Sequence, residues 1–97
     1  MYIKCVIYEW DKNKQKQTLI DRGVNFADVV RLNWDLALTR EDKRQDYQEN
    51  RYVTIAPIDD RLHIVVWCKR RENIRIISLR KANQREEKFY DEKILHR

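Results

Sequence analysis

The chain has 97 residues and a net charge of +5, and it is long enough for one hydrophobic core but not for two. The charge is uneven: residues 1–50 hold nine basic and nine acidic side chains, whereas residues 51–97 hold twelve basic and seven acidic ones. A basic second half favours a polyanionic partner such as RNA, although an ordinary solvated surface gives the same composition. No apolar run approaches a membrane span and the N-terminus turns polar too soon for a signal peptide, so we expect a cytoplasmic protein without a membrane partner.

The first half of the chain predicts a strand followed by two helices. Residues 2–8 are strand-like, with Ile3, Cys5 and Ile7 on one face. Asp11 is a good N-cap for a first helix, and Gly23 lies where a glycine would end it. Asn25 would cap a second helix. The apolar residues at helical spacing in that helix, expected to face the core, are Phe26, Val29 and Val30.

The middle of the chain predicts a polar loop and then a meander of three strands. Residues 34–38 are expected to add a short extended piece, and residues 39–50 are almost wholly polar, which favours an exposed loop. The predicted strands span residues 51–56, 62–68 and 74–79, with turns between them. Cys5 and Cys68 lie on predicted strands without close-spaced partners, so we expect free thiols, no metal site and no cofactor.

The last predicted strand, residues 74–79, combines apolar faces with cations. Alternation places Ile74 and Ile76 on one face and Ile77 and Leu79 on the other, which predicts a strand inside the sheet. An unpaired buried charge costs several kcal/mol, so cations here should emerge at the strand ends and face an anion, most simply a phosphodiester. The polar residues of this segment are Arg75, Ser78, Arg80 and Lys81.

Asn83, with Glu86 three residues later, resembles a capping box that begins the final helix, in which Phe89 and Ile94 are the expected buried residues. The predicted order is β-α-α-β-β-β-α. This is an α+β fold in one domain, residues 1–97, with a mainly antiparallel sheet of about four strands and helices packed on it.

Five short motifs then indicate a family. They are Tyr8-Glu9-Trp10-Asp11 with Lys14, Gly23-Val24-Asn25-Phe26-Ala27, Asn50-Arg51-Tyr52, Arg75-Ile76-Ile77-Ser78-Leu79-Arg80-Lys81-Ala82, and Arg85-Glu86 with Tyr90. In these motifs the chain resembles the BrnT toxins of bacterial type II toxin–antitoxin systems, from about Tyr8 to Tyr90. The resemblance implies a RelE-like endoribonuclease that arrests growth. It also implies a cognate BrnA antitoxin that forms a hetero-oligomer with the toxin. The ribbon-helix-helix domain of that antitoxin would bind the operon's promoter, so contact with operator DNA would be indirect.

The chain departs from the family pattern before Gly23. Thr18, Asp21 and Arg22 stand where family members usually carry Asn, Lys and His, and Ala56 stands where a Gly is usual. If the family His transfers a proton, its loss lowers the rate. If it binds phosphate, Arg22 is a permanently charged substitute.

Cleavage of RNA without a metal requires a base, an acid and cations around the phosphate. The candidates for catalysis are Arg75, Arg80, Lys81, Glu86 and Tyr90, and those for binding RNA are Lys14, Arg22, Arg51 and Ser78. Each has a structural alternative: salt bridges for the cations, a helix cap for Glu86 and a core anchor for Tyr90. Tyr52 and Trp67 could stack on a base or belong to the core.

Two other functions fit the same sequence. One is a nucleic-acid-binding domain that binds RNA through the same basic face but cleaves it weakly or not at all. The other is a protein-interaction module whose charged surface docks an acidic antitoxin.

Overall fold

The computed structural model describes residues 6–44 and 49–95. In chain order its elements are β1 Tyr8–Trp10, α1 Lys12–Arg22, a 3-10 helix Phe26–Arg31, a short 3-10 turn Trp34–Leu36, β2 Leu38–Asp42, β3 Arg51–Ile58, β4 Arg61–Arg70, β5 Asn73–Lys81 and α2 Gln84–Leu95. The strands form one sheet in the order β1-β5-β4-β3-β2, in which only the β1–β5 pair is parallel. The α+β class is confirmed. The sheet has one strand more than the expected four or so, and one parallel pair.

Helix α1 begins and ends where its local signals predict. The Asp11 carboxylate accepts hydrogen bonds from the backbone N–H groups of Asn13 and Lys14, at 2.8 and 3.1 Å. Gly23 has φ 67°, and its N–H donates to the carbonyl of Leu19. A residue with a Cβ is strained at such a φ, so glycine suits this end of the helix.

The second predicted helix is a 3-10 helix, and this changes which residues it buries. Asn25 caps it through a hydrogen bond from Ala27 N–H, as predicted. Phe26 and Val29 are buried, but Val30 is 63% exposed, so its expected core position is wrong. A 3-10 helix has three residues per turn, which aligns positions i and i+3 and rotates position i+4 away.

Strand β2 lies where an exposed loop was expected. Its five residues pair with β3 in antiparallel register from Leu38 opposite Ile55 to Asp42 opposite Arg51. The hydroxyls of Thr39 and Thr54 are 2.7 Å apart across the two strands. An edge strand can be this polar because its side chains are largely exposed to solvent, as in the middle of β2, and charged residues there oppose further strand addition. Residues 45–48 of the predicted loop lie outside the described residues.

Strand β5 lies between β1 and β4, which confirms the internal strand, but it contains a β-bulge. Val66 pairs with Ser78 while the next residue, Trp67, pairs with Ile76, so Ile77 is an extra residue in β5. The predicted alternation is therefore wrong beyond this point. A bulge shifts the alternation by one residue, which places Leu79 in the same cluster as Ile76.

The sheet has two covered faces. On the face that we call the 3-10 face, the 3-10 helix contributes Phe26 and Val29 to a cluster with Ile76 and Leu79. On the other, the α2 face, Tyr90 packs with other residues in a smaller cluster. The remaining buried members of that cluster are Ile55, Ile64 and Ala82.

Helix α2 begins with the predicted capping box but buries a different aromatic residue. Glu86 N–H donates to the Asn83 side chain at 2.8 Å, and the Glu86 carboxylate accepts from Asn83 N–H at 2.9 Å. Tyr90 is 7% exposed and Phe89 is 52% exposed, so the predicted burial of Phe89 is wrong. Tyr90 and Ile94 are four residues apart and share the inward stripe, whereas Phe89 lies about 100° away on the flank.

The first strand is shorter and later than expected. It begins at Tyr8, and Ile7, predicted to lie within it, is outside the strand and exposed. Ile3 and Cys5 lie outside the described residues. Cys68 is a buried free thiol, and burial raises its pKa. None of the described helices is long and apolar enough to cross a membrane.

Candidate functional site

An open cavity of about 680 Å³ lies on the α2 face, between the sheet and one flank of α2. Its floor is apolar and comes from three neighbouring strands, with Val53 and Ile55 of β3 opposite Ile64 and Val66 of β4, beside Leu38 of β2. Polar and charged side chains surround this floor. They are Thr39, Arg40, Arg44, Ser78, Arg80, Glu86 and Lys93. We call this site the α2 cavity, and its size is within the range of pockets that hold small molecules or cofactors.

A two-pronged ion pair joins the sheet to α2 at the cavity wall. The Nη1 and Nη2 atoms of Arg80 each donate to one carboxylate oxygen of Glu86, both at 2.7 Å. The Glu86 Oε1 atom also accepts from Asn83 N–H as part of the capping box. One side chain therefore serves both the helix cap and the contact with β5.

The charge states of this pair follow from its geometry. The hydrogen bonds from Arg80 lower the pKa of Glu86, and the bond from Asn83 N–H adds to the effect. The same contact raises the pKa of Arg80. At neutral pH Glu86 is therefore an ionised carboxylate, which can accept a proton but has none to donate.

The β-bulge decides which cations of β5 reach the α2 face. In regular alternation Arg75 would share a face with Ile77 and Leu79. Because Ile77 is the extra residue, Arg75 instead shares the α2 face with Ser78 and Arg80. Ser78 and Arg80 line the α2 cavity.

Arg75 and Arg51 lie one row further along the same face. Cys68 of β4 pairs with Arg51 on one side and with Arg75 on the other. Arg75 Nη1 is 3.6 Å from the Glu9 carboxylate, which also accepts a hydrogen bond from Asn73. This row extends the basic character of the face beyond the cavity itself.

Besides Arg51, Arg75 and Tyr90, three further predicted site residues do not line the α2 cavity. Lys81 pairs in register with buried His63 and lies on the 3-10 face. Arg22 is in the last turn of α1, where a cation is favourable beside the helix dipole. Lys14 is in the first turn of that helix, and its backbone N–H is the main cause of the lowered pKa of Asp11, to which the charge of Arg75 also contributes.

Tyr90 is buried and its hydroxyl has a structural partner. The hydroxyl donates to the backbone carbonyl of Leu36 at 2.6 Å and so connects α2 to the short 3-10 turn. This contact favours the anchoring role over the catalytic one. Catalysis by Tyr90 stays a prediction.

The aromatic candidates Tyr52 and Trp67 lie on the 3-10 face, as does the buried His63. Tyr52 and Trp67 stack on each other with ring centroids 4.8 Å apart, and Trp67 meets Trp34 edge-on. The Trp67 indole N–H donates to Thr54. His63 Nδ1 is 2.8 Å from the carbonyl of Arg61, and burial lowers the pKa of its ring, which is therefore neutral at pH 7.

Five residues of the cavity wall are not among the candidates that the sequence indicates: Thr39, Arg40, Arg44, Phe89 and Lys93. The first three belong to a segment that was expected to be an exposed loop, and Phe89 was expected inside the core. Residues 38–42, Leu-Thr-Arg-Glu-Asp, do not alternate apolar and polar residues, so the sequence carried no clear strand signal there. Arg44 donates to both carboxylate oxygens of Asp42, at 2.9 and 2.8 Å.

Within residues 6–44 and 49–95, no three His, Cys, Asp or Glu side chains are grouped so as to hold a metal ion.

Comparison with known proteins gives two findings. The sequence model of a family described as "Ribonuclease toxin, BrnT, of type II toxin-antitoxin system" matches residues 10–86. The 1.1 Å crystal structure of the Brucella abortus ribonuclease toxin BrnT superposes with a TM-score of 0.62 at 20% sequence identity, over 82% of this chain and 100% of that chain. At this identity the superposition establishes a shared fold. No curated protein matches the chain.

Proposed function

Since the chain belongs to the family of BrnT ribonuclease toxins of type II toxin–antitoxin systems, we propose that the α2 cavity is its ribonuclease centre. A type II toxin of this family has RNA as its substrate and a protein antitoxin as its partner. The observation that carries the proposal is the meeting of Ser78, Arg80 and Glu86 in one open, cation-rimmed cavity. An arginine fork beside a carboxylate supplies both a phosphate ligand and a proton acceptor.

Glu86 is the proposed general base. A carboxylate has about four acceptor positions. The described residues occupy two on Oε1 and one on Oε2, which leaves a position on Oε2 for the 2′-hydroxyl of a bound nucleotide. The 2′-oxygen then bonds to phosphorus as its proton passes to Glu86, and the bond from phosphorus to the 5′-oxygen breaks. The products are a 2′,3′-cyclic phosphate and a 5′-hydroxyl, whose proton comes from water in the open cavity.

The cations would stabilise the charge that develops on the phosphate. Arg80 is within reach of the reacting phosphate by virtue of its contact with Glu86, and Ser78 is its neighbour on the same face. Arg51 and Arg75, one row further along, would bind flanking phosphates. Lys81, Tyr90, Lys14 and Arg22 stay predictions with no place in this mechanism.

The proposal is tested by RNA cleavage with the purified chain. We expect cleavage of single-stranded RNA to persist in EDTA, because the proposed steps use side chains only. Arg80→Ala should reduce the rate by about 10²–10³-fold, the usual cost of removing a preorganised charge-stabilising donor. Arg85→Ala, an exposed arginine on the first turn of α2 outside the cavity, is the control. Equal rates for the two variants would contradict the proposal.

One observation favours the alternative of a domain that binds without cleaving. Glu86 already occupies both Nη atoms of Arg80, as a purely structural bridge would. If the wild-type chain leaves RNA intact in every metal condition while still binding it, the binding alternative replaces the enzyme.

We also propose that the antitoxin covers the α2 face and excludes RNA, and that it carries the ribbon-helix-helix domain that binds the operator. A RelE-like relationship of the fold and action in the cytoplasm, where RNA is available, belong to the same proposal. Protection of Arg40 and Arg80 from arginine-modifying reagents in the complex would support occlusion. Unchanged modification of both, with activity lost, would contradict it.

A further inference from the structure

Helix α2 presents an exposed aromatic ring to the α2 cavity. Phe89 is 52% exposed although Tyr90, its neighbour, fills the inward position of the helix. A single exposed apolar residue is ordinary. Phe89, however, lies on the wall of a concave cavity whose floor is apolar.

The Phe89 ring is one of three side chains along the same flank of α2, together with a carboxylate and an ammonium group. Glu86, Phe89 and Lys93 are spaced i, i+3 and i+7, which places them along one flank of the helix, and all three line the cavity. The Lys93 ammonium lies 5.7 Å from the centroid of the Phe89 ring. With a rise of about 1.5 Å per residue, the backbone positions of Glu86 and Phe89 are about 4.5 Å apart along the helix axis.

The charges of the cavity select its occupant. Arg40, Arg44, Arg80 and Lys93 surround the apolar floor, against one acidic side chain, Glu86. Within the described residues Arg40 and Lys93 form no ion pair. A ligand that combines a flat apolar face with nearby negative charge satisfies both features, and an unpaired nucleotide is such a ligand.

We propose that Phe89 is the stacking platform for one nucleobase turned out of the RNA strand, beside the phosphate that Arg80 contacts. The Lys93 ammonium lies over one face of the ring, so the base stacks on the opposite face and Lys93 binds the phosphate that follows this base. The site therefore accepts single-stranded RNA and rejects a duplex, whose bases have no free face to offer. Phe89 acts as a positioning residue that sets which phosphate reaches Glu86. This inference rests on the proposed function of the cavity.

The test measures affinity for a short single-stranded RNA whose 2′-oxygens are methylated, so that the attacking oxygen is blocked and no cleavage occurs. Loss of one base–aromatic stack typically weakens binding by about 5- to 150-fold, and we expect Phe89→Ala to lie in this range. Phe89→Trp should bind as tightly as wild type, and Phe89→Leu should bind as weakly as Phe89→Ala. Leu95→Ala, which removes an 80% exposed residue of the same helix outside the cavity, should bind as wild type.

A second measurement assigns the stack to one nucleotide. The base is removed from each position of the probe in turn, and affinities are compared for wild type and Phe89→Ala. At one position the two losses should be non-additive, because both changes remove the same contact. Additive losses at every position, or a Phe89→Leu variant that binds as wild type, would overturn the inference.

The two proposals can fail separately. If Arg80→Ala abolishes cleavage and Phe89→Ala binds and cleaves as wild type, the stacking platform is wrong and the ribonuclease centre stands. If Arg80→Ala binds and cleaves as wild type, the cavity is not the RNA site and both proposals fall.

Discussion

Glu86→Gln separates the two roles that the structure gives to this side chain. A glutamine at this position still accepts the hydrogen bond from Asn83 N–H, since a capping box uses Glu or Gln. The substitution removes the charge that Arg80 contacts and that the helix N-terminus favours. The helix-dipole effect is about 0.3–1 kcal/mol and a partly exposed ion pair adds about 0.2–1 kcal/mol, which solvent screening reduces here because Arg80 is 36% exposed. We therefore expect a loss of about 1 kcal/mol, or about 4–8 °C in Tm.

The expected loss of activity is much larger than this loss of stability can explain. A general base contributes about 10²–10⁴ in rate, and the low pKa of Glu86 makes it a weak base, so we expect about 10². Domains of this size are stable by about 5–15 kcal/mol, so a loss of about 1 kcal/mol leaves nearly all molecules folded. Single-turnover cleavage of a labelled RNA measures the rate, and thermal unfolding followed by circular dichroism measures Tm.

Glu87→Gln is the matched control for this substitution. Glu87 is the next residue of the same helical turn, and its carboxylate is 3.7 Å from Arg61, outside the α2 cavity. It should lower Tm by no more than Glu86→Gln does and leave cleavage unchanged. A Glu86→Gln variant that cleaves at the wild-type rate would show that Glu86 only caps and anchors the helix.

Four further predictions follow from the same geometry. Tyr90→Phe should lower Tm by several degrees, because the carbonyl of Leu36 loses a net contribution of about 0.5–1.5 kcal/mol, and should retain cleavage; a large loss of rate with an unchanged Tm would restore the catalytic role of Tyr90. Affinity for single-stranded RNA should fall with salt, with a log–log slope of about −0.7 per phosphate neutralised, whereas affinity that does not change with salt would argue against a basic RNA site. Burial lowers the pKa of His63 below 6.5, so as the pH falls the His63 ring is protonated in the unfolded chain before it is protonated in the folded one. The contribution of neutral His63 to the free energy of unfolding should therefore be complete above pH 6.5 and decline as the pH falls below it. His63→Gln should flatten this decline in urea titrations. Arg22→His should leave the cleavage rate unchanged, because Arg22 lies at the end of α1 and does not line the cavity; a large gain would show that the family His transfers a proton.

Local signals were enough to predict both ends of α1 and the start of α2. Asp11 and Gly23 bound α1, and Asn83 with Glu86 begins α2, as the sequence indicates. Caps depend on hydrogen bonds between residues two to four positions apart, so the relevant atoms are neighbours in the chain. The internal position of β5 was also predictable, because apolar residues on both of its faces require cover on both sides.

The composition of the α2 cavity depended on contacts that are distant in sequence. Strand β2 forms because β3 supplies its backbone partners, and no local propensity in its polar residues requires a strand. In the sequence, Arg80 and Glu86 are two separate candidates, each with its own structural alternative, and nothing indicates that they touch. Their meeting required α2 to dock on the sheet beside β5.

The family, the α+β class, the helix caps and the cations of β5 were all predictable, since each depends on residue identity or on short-range hydrogen bonds. The directions in which those residues point depend on tertiary packing. The extra residue Ile77 turns Ser78 and Arg80 towards α2, and three-residue periodicity turns Val30 outward. Because Tyr90 packs against the sheet, its helical neighbour Phe89 points to the flank of α2 and lines the cavity. The direction in which a side chain points depends on strand register and on packing between elements. The free energies of strand pairing and packing arise only when distant parts of the chain meet.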